Sequence, residues 1–177
     1  MKPIELIDKS LNRVPDFPKE GILFYDITGI LTNPKAFKVT IKQMVKMYKG
    51  KKIDAVAAIE SRGFIFAAPL AEKLGIPLVL IRKKGKLPGQ TYSCKYDLEY
   101  GSAEIEVHKA DVKKGQKFLL IDDLIATGGT LKAARSLIEM GGATVQEVFG
   151  VVGLPFLGYE KVLEPTKCRT LINYDSE

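Results

Sequence analysis

Apolar residues recur along the chain at two spacings, and their order predicts the fold. Ile53 to Ile59 (IDAVAAI), Ile76 to Ile81 and Phe118 to Ile121 are short, nearly unbroken apolar runs. Runs of that kind mark strands buried on both faces of a sheet. Val145 to Val152 continues the series, and Arg169 to Asn173 predicts a last short strand. Between these runs the spacing changes to that of amphipathic helices. Ile4, Ile7 and Leu11 share one face near the start. Asn33-Pro34 offers a cap and a first-turn proline, and Phe37, Ile41, Met44, Val45 and Tyr48 then mark one face. A helix from about Phe64 to Leu74 stops at Gly75, and one carrying Leu131, Ala134, Leu137, Ile138 and Met140 stops at Gly141-Gly142. Strands alternating with helices predict an α/β fold with a doubly wound, largely parallel sheet and flanking helices.

Two stretches break this rhythm. Residues 91–96 and 103–107 predict an antiparallel hairpin, with clear alternation in Ala103-Glu104-Ile105-Glu106-Val107 and a tip at 97–101. Pro15, Pro18 and Gly21 interrupt regular structure, and Ile22 to Tyr25 is too short and interrupted to predict a core strand. Leu154 to Lys161 reads as a loop turning at Pro155. No repeat or linker divides the 177 residues, which predicts one domain spanning 1–177.

The chemistry concentrates at Phe118 to Thr130, FLLIDDLIATGGT. A buried strand there ends in Asp122 and Asp123, followed by a tight loop, Ala126-Thr127-Gly128-Gly129-Thr130, and a helix. An ordinary turn accounts for the glycines. It does not account for adjacent carboxylates, which repel and need donors or cations. Backbone N–H groups and hydroxyls at a helix start suit a phosphate, and the two acids suit vicinal sugar hydroxyls. The loop lacks the lysine of a Walker A motif and the glycine spacing of a dinucleotide fold. Glu60-Ser61-Arg62-Gly63 ends another parallel strand, where open α/β sheets bind ligands.

Composition narrows the partners. Lys and Arg number 27 against 21 Asp and Glu, a net charge of +6. That balance suits polyphosphate as well as nucleic acid. Its bases gather at Lys49–Lys52, Arg82–Lys86 and Lys113-Lys114. The first and third read as solvated surface, whereas the second directly follows a buried strand. No apolar run is long enough for a membrane span, and the N-terminus has no apolar signal segment. Cys94 and Cys168 read as free thiols in a reducing cytoplasm. His108 has no second ligand nearby in sequence and reads as a surface histidine.

The thirteen residues FLLIDDLIATGGT resemble, at every position, the phosphoribosyl-diphosphate (PRPP) signature of the type I phosphoribosyltransferase family. FPKEGILFYDIT, IESRGFIFAAPLAEKLG, LIRKKGKLPG and YDLEYGSAEIE, in that order, resemble the adenine-using branch, from about Val14 to the last strand. The resemblance implies transfer of phosphoribose from PRPP to adenine, giving AMP and diphosphate in purine salvage. It implies a type I fold with a small hood (about 1–33 and 154–165) over the site and a flap (about 82–107). It also implies Mg2+ held mainly by substrate phosphates and hydroxyls rather than by direct protein ligands. A homodimer is implied too, and neither nucleic acid nor membrane is a partner.

Residue by residue, Asp122 and Asp123 match the acids that hold the ribose 2′- and 3′-hydroxyls. Ala126, Thr127, Gly128, Gly129 and Thr130 match the cradle of the 5′-phosphate. Ser61 and Arg62 match the diphosphate loop, often built on a non-proline cis peptide, expected here at Glu60–Ser61. Arg82, Lys83 and Lys86 match basic groups for the diphosphate, partly shared across a dimer interface. Phe24 and Leu154 match residues sandwiching the base, and Leu23 and Tyr25 match positions whose backbone reads its edge. Many related sequences carry arginine at Tyr25. Glu99 matches the acid at N7 of adenine, on a flap that also carries Tyr100. Two rivals stay open at this point: the same scaffold acting on a 6-oxopurine, and a non-catalytic PRPP sensor.

Overall fold

The computed structural model describes residues 2–97 and 101–176. Helix α1 (Pro3–Lys9) starts on a proline, and its Glu5 accepts the Lys2 backbone N–H at 3.1 Å. Strands β1 (Asn12–Val14) and β2 (Phe24–Asp26) pair antiparallel in a small two-stranded sheet of their own. The short helix α2 (Thr28–Thr32) leads to Asn33, which caps α3 (Pro34–Tyr48) by accepting the N–H groups of Lys35 and Ala36, each at 3.2 Å. The same side chain donates to Ser10 Oγ at 3.1 Å and so ties α3 to the end of α1.

The main sheet follows. It is built from β3 (Ala55–Ile59), β4 (Leu78–Lys83), β5 (Thr91–Asp97), β6 (Ser102–His108), β7 (Lys117–Ile125), β8 (Thr144–Gly153) and β9 (Lys167–Asn173). These seven strands lie in the order β5-β6-β4-β3-β7-β8-β9. The run from β4 to β9 is parallel, and the β5–β6 hairpin joins antiparallel along β4. Helix α4 (Arg62–Leu74) links β3 to β4 and closes on Gly75 in the left-handed region, φ 68°. Helix α5 (Gly129–Met140) links β7 to β8, and α6 (Tyr159–Leu163) precedes β9.

Strand β3 explains its own unbroken apolar sequence. Val56 and Ala58 face one core with Phe66, Leu70, Leu119 and Phe149, whereas Ala55 and Ala57 face a second core with Leu120, Leu131 and Leu137. Every residue of the strand is therefore buried, and small side chains let helices approach from both sides. At the far edge of the sheet from the site, Glu147 takes the Tyr48 hydroxyl at 2.7 Å and Arg169 Nε at 2.9 Å, pinning α3 to β8 and β9.

Several boundaries differ from expectation for identifiable reasons. Strand β7 does not stop at the acids but runs on to Ile125, because β8 continues to pair with it as far as Ile125–Gly153. Strand β2, which overlaps the stretch 22–25 and runs on to Asp26, exists through its partner β1, a pairing that no local spacing reveals. Leu154 to Lys161 holds a 3-10 turn (Pro155–Leu157) and the start of α6 rather than plain loop. Substituting Asn33→Ala removes the α3 cap and its link to Ser10. It is expected to cost about 1 kcal/mol, roughly 2–4 °C of melting temperature, in a thermal melt.

Candidate active site

The strands of the parallel core end at different heights, and the site occupies the step. β3 pairs with β7 only as far as Ala58–Ile121, whereas β7 continues beside β8 for four more residues of register, from Asp122 to Ile125. Asp122 and Asp123 thus lie beyond the end of β3, with one edge of their strand turned to the space above it. The chain leaving β3 fills that space with Glu60 and Ser61, joined by a cis peptide bond, and then begins α4. Gly63 makes the approach possible. A Cβ there would lie 3.0 Å from the Ile121 carbonyl oxygen and 3.3 Å from Asp122 Cα.

Helix α4 brings one cation to the acids. Arg62 Nε donates to Asp123 Oδ2 at 2.6 Å, and Asp123 is only 3% exposed. Asp122 has no guanidinium of its own; its Oδ1 accepts the backbone N–H of Asp123 at 2.9 Å. Burial first, and then the neighbouring charge of Asp123, push the Asp122 carboxyl well above the usual carboxylate range. Burial opposes the charge on Arg62, but the Asp123 hydrogen bond and the charges of Asp123, Asp122 and Asp26 outweigh it and hold the guanidinium more firmly protonated. Asp26, on β2, is held below its ordinary value chiefly by the Thr28 hydroxyl, with Thr28 N–H, Asn12 and Arg62 assisting.

Beyond Ile125 the loop is shaped by glycine. Gly128 sits at φ 82°, and a Cβ on it would meet Tyr159 Cβ at 3.2 Å and Leu163 Cγ at 3.3 Å. It stands at the N-cap of α5 and has no side chain to offer the first-turn amides. Those amides have no intrahelical acceptor and point at the loop, an arrangement suited to an anion. Ala126, Thr127, Gly128, Gly129 and Thr130 all line a hollow of about 100 Å³ there. Asp122, Leu124 and Thr130 are shared with a larger cleft of about 380 Å³. The far wall of that cleft carries Glu60, Ser61, Arg62 and Lys83, and its roof carries Tyr96 and Ile105 from the hairpin.

The basic segment is divided in its allegiance. Lys83 lines the cleft. Arg82 does not; its Nε and Nη2 hold Glu60 at 3.2 and 3.0 Å, and its Nη1 donates to the Lys86 carbonyl at 3.2 Å. Glu60 also accepts the Lys83 N–H at 3.1 Å, and these bonds, the Arg82 contact foremost, lower its pKa. Lys86 lies outside the cleft wall, with its N–H bound to Glu106 at 2.9 Å.

The four residues expected around a base lie apart from this cleft, in and beside the small sheet. Alternation along β2 places Phe24 and Asp26 on one face and Tyr25 on the other. Asp26 feels the charge of Arg62, so the Phe24 face is the one turned toward the site. Tyr25 turns away and stacks on Tyr174, ring centroids 4.1 Å apart at 8°. Phe24 meets Phe17 edge-on at 5.1 Å. Leu23 packs at the margin of the core, and Leu154 is buried there, its N–H bound to the Ile125 carbonyl at 2.9 Å. Glu99 and Tyr100 lie outside the described residues. Sequence reasoning passed over Tyr96, Asp26, Glu60 as an anchor for Arg82, and Glu106. Of these, Asp26 carried a local signal in Asp26-Ile27-Thr28, where an acid precedes a hydroxyl that caps it.

A carboxyl whose folded pKa is raised favours folding below its unfolded pKa and loses that benefit as pH rises through the folded value. Asp122 therefore weighs against the folded state at neutral pH. Asp122→Asn is expected to melt above the parent at about pH 8, with the gap closing as pH falls toward the ordinary Asp value of 3.8. A lower melting temperature at pH 8 would contradict this account of the pair.

Comparison with known proteins identifies the family. The phosphoribosyl transferase domain family matches residues 26–153, from Asp26 of the small sheet to the end of β8. Adenine phosphoribosyltransferase of Treponema denticola is 69% identical over 173 residues, covering 98% of this chain and 91% of that protein. The crystal structure of adenine phosphoribosyltransferase from Thermoanaerobacter pseudethanolicus superposes with a TM-score of 0.92 at 44% identity, over 97% of this chain and 99% of the other. The enzyme of Trypanosoma brucei, solved with AMP, pyrophosphate and ribose-5-phosphate, superposes at 0.88 with 30% identity, over 98% of this chain and 80% of that one. The chain belongs to the phosphoribosyltransferase family, in its adenine phosphoribosyltransferase branch.

Proposed function

We propose that this chain transfers the 5-phosphoribosyl group from PRPP to adenine, releasing AMP and diphosphate in purine salvage. One observation carries the reading at the level of the site. A cleft bounded by two adjacent acids opens at one end onto an uncapped helix start and at the other onto Arg62 and Lys83. Those are the complements of a sugar flanked by a phosphate and a diphosphate.

The roles follow from that match. Ala126 to Thr130 bind the 5′-phosphate through amides and hydroxyls, and Asp122 and Asp123 accept the ribose 2′- and 3′-hydroxyls. Ser61, Arg62, Lys83 and Lys86 take the departing diphosphate. Arg82 acts by bracing Glu60, from the position it holds here. The bond from C1′ to the diphosphate oxygen breaks with its electron pair going to oxygen, N9 of adenine bonds to C1′, and the ring proton that the base gives up passes to the departing diphosphate or to water. The chain's contribution is to hold the two partners in line and to face the leaving charge with fixed cations. Leu23, Phe24, Tyr25 and Leu154 form the base pocket once the flap, 82–107, closes beneath the hood, 1–33 and 154–165. Because the Tyr25 ring is engaged with Tyr174, its share in base recognition falls to its backbone. Glu99 holds N7 of adenine as an acid, with Tyr100 beside it on the flap.

Mg2+ fits as a guest of the substrate. The cleft wall offers a carboxylate oxygen from Asp122, a donor that suits a hard cation, whereas both Glu60 oxygens are taken by Arg82 and the Lys83 N–H. Among the described residues no three potential ligands gather into a cage. When bound, the ion shields the diphosphate charge, held mainly by phosphate and hydroxyl oxygens. The exposed side chains of Ile65 on α4 and Leu80 on the adjoining β4 offer an apolar surface for a homodimer. Among the described residues no helix is long and apolar enough to cross a membrane. A cytoplasmic location, with both cysteines free, completes the proposal.

Diphosphate release should be measured with PRPP, Mg2+ and each purine base in turn. Release with adenine alone is expected. Release with a 6-oxopurine instead would reassign the substrate, and no release with any base would favour a PRPP sensor. Glu99→Gln is expected to lower turnover by about a hundredfold or more while leaving PRPP affinity nearly unchanged. Unchanged turnover would remove Glu99 from the mechanism.

A further inference from the structure

Glu106 lies on β6, outside the cleft, and is 2% exposed. A carboxylate so enclosed is costly unless its oxygens are satisfied. Here they are satisfied by the basic segment. Oε1 accepts the backbone N–H groups of both Lys86 and Leu87 at 2.9 Å. Oε2 accepts the Thr91 hydroxyl at 3.3 Å and faces Lys84 Nζ at 3.5 Å. One side chain thus gathers three residues of the turn between β4 and β5, together with Thr91 at the start of β5. From the other side Arg82 grips the Lys86 carbonyl at 3.2 Å, so the peptide groups of Lys86 are held at both ends. Burial works to raise the Glu106 pKa, but the Leu87 and Lys86 amides, Thr91 and Lys84 prevail and keep it low.

Besides these bonds, the turn is held by the Lys84 N–H on the Glu104 carbonyl at 3.0 Å and the Lys86 N–H on the Lys83 carbonyl at 3.2 Å. Residues 83–90 are exposed apart from Leu87, which is half-buried, and the segment bends at Gly85 and Gly89, with φ 81° and 78°. An apolar residue at position 106 would satisfy the core but leave the Leu87 amide without an acceptor and the Lys86 amide with only the Lys83 carbonyl, at 3.2 Å. We propose that Glu106 is a positioning residue for phosphoribosyl transfer: its carboxylate folds the turn that follows Lys83, which lines the cleft, and so sets the approach of Lys86, which lies outside the cleft wall, to the diphosphate of PRPP. The inference rests on the reading of those lysines as diphosphate contacts. It also ties the turn to the hairpin, because Ile105, the neighbour of Glu106, lines the cleft. A change in hairpin position would then reach the lysines through one side chain.

The test compares Glu106→Ala, Glu106→Gln and Lys83→Met by steady-state kinetics, varying PRPP and adenine separately, with thermal melts alongside. Glu106→Ala is expected to raise KM for PRPP by about tenfold, the effect of losing a charged hydrogen-bond acceptor, while KM for adenine stays within about twofold. Glu106→Gln keeps an oxygen for the two amides and should recover most of the loss. If KM for PRPP is unchanged in Glu106→Ala, or if both KM values rise by the same factor, the proposal is overturned. If Glu106→Ala does not fold, Glu106→Gln decides: a selective rise in KM for PRPP of about threefold, from the lost charge facing Lys84, supports it, and none overturns it. Lys83→Met separates the two levels. Unchanged KM for PRPP there defeats the contact reading and the proposal with it. A raised value in Lys83→Met beside an unchanged one in Glu106→Ala defeats only the role of Glu106.

Discussion

Three carboxylates share one guanidinium. Asp123 is bonded to Arg62, and Asp122 and Asp26 both feel its charge. That shortage of positive charge is the constraint around which the upper edge of the sheet is arranged. It requires α4 to begin directly above β7, so that Arg62 in its first turn reaches Asp123. It requires glycine at position 63, because any side chain would strike the Ile121 carbonyl. It also leaves Asp122 with its own neighbour's N–H as partner, a group whose ionised form is disfavoured in this setting. Sites that act on ligands are often less stable than they need be as pieces of structure. Here the instability is local and electrostatic, and a ligand's hydroxyls are the kind of donor that would relieve it.

The opposite wall shows the reverse arrangement. There the ligand-facing groups are cations, and carboxylates serve as their scaffolding. Glu60 fixes Arg82 and the start of the basic turn. Glu106 fixes its middle. The two walls therefore differ in what is buried. On β7 the acids face the cleft and a cation braces them; across the cleft a lysine faces it and acids brace the backbone. A substrate that carries hydroxyls in its middle and phosphates at both ends would meet complementary charge along its length, with Arg62, bonded to Asp123, joining the two walls.

Much of this was legible in the sequence, and the division follows a physical line. The buried strands, the Asn33 cap, the Gly75 stop, the hairpin and the loop after Asp123 all depend on residues near one another in the chain, so spacing alone exposes them. The cis bond at Glu60–Ser61 was an expectation of resemblance and is present. What spacing did not expose depends on contacts between distant segments. Strand β2 exists because β1 pairs with it. Arg82 reads as a free basic residue until Glu60, 22 positions earlier, is placed beside it. Glu106 reads as the polar half of an alternating strand, facing water, until the basic turn folds over it.

The small sheet poses the remaining physical question, how the proposed base pocket is held firm by so little structure. Two three-residue strands are marginal alone. The fold compensates through the residue that turns away from the site. Tyr25 stacks on Tyr174, just past the end of β9, and the Tyr174 hydroxyl donates to Asp8 at the end of α1. Arg13 of β1 closes the circuit, donating to Asp8 Oδ1 at 2.6 Å and to the Tyr174 oxygen at 2.9 Å. The first and last segments of the chain are thereby clamped onto the strand that carries Phe24. The Tyr25 ring thus secures the strand from behind. In the proposed base pocket, selectivity would then depend on where the backbone of Leu23 to Tyr25 is held, a position that the stack of Tyr25 on Tyr174 secures from the opposite face of the strand.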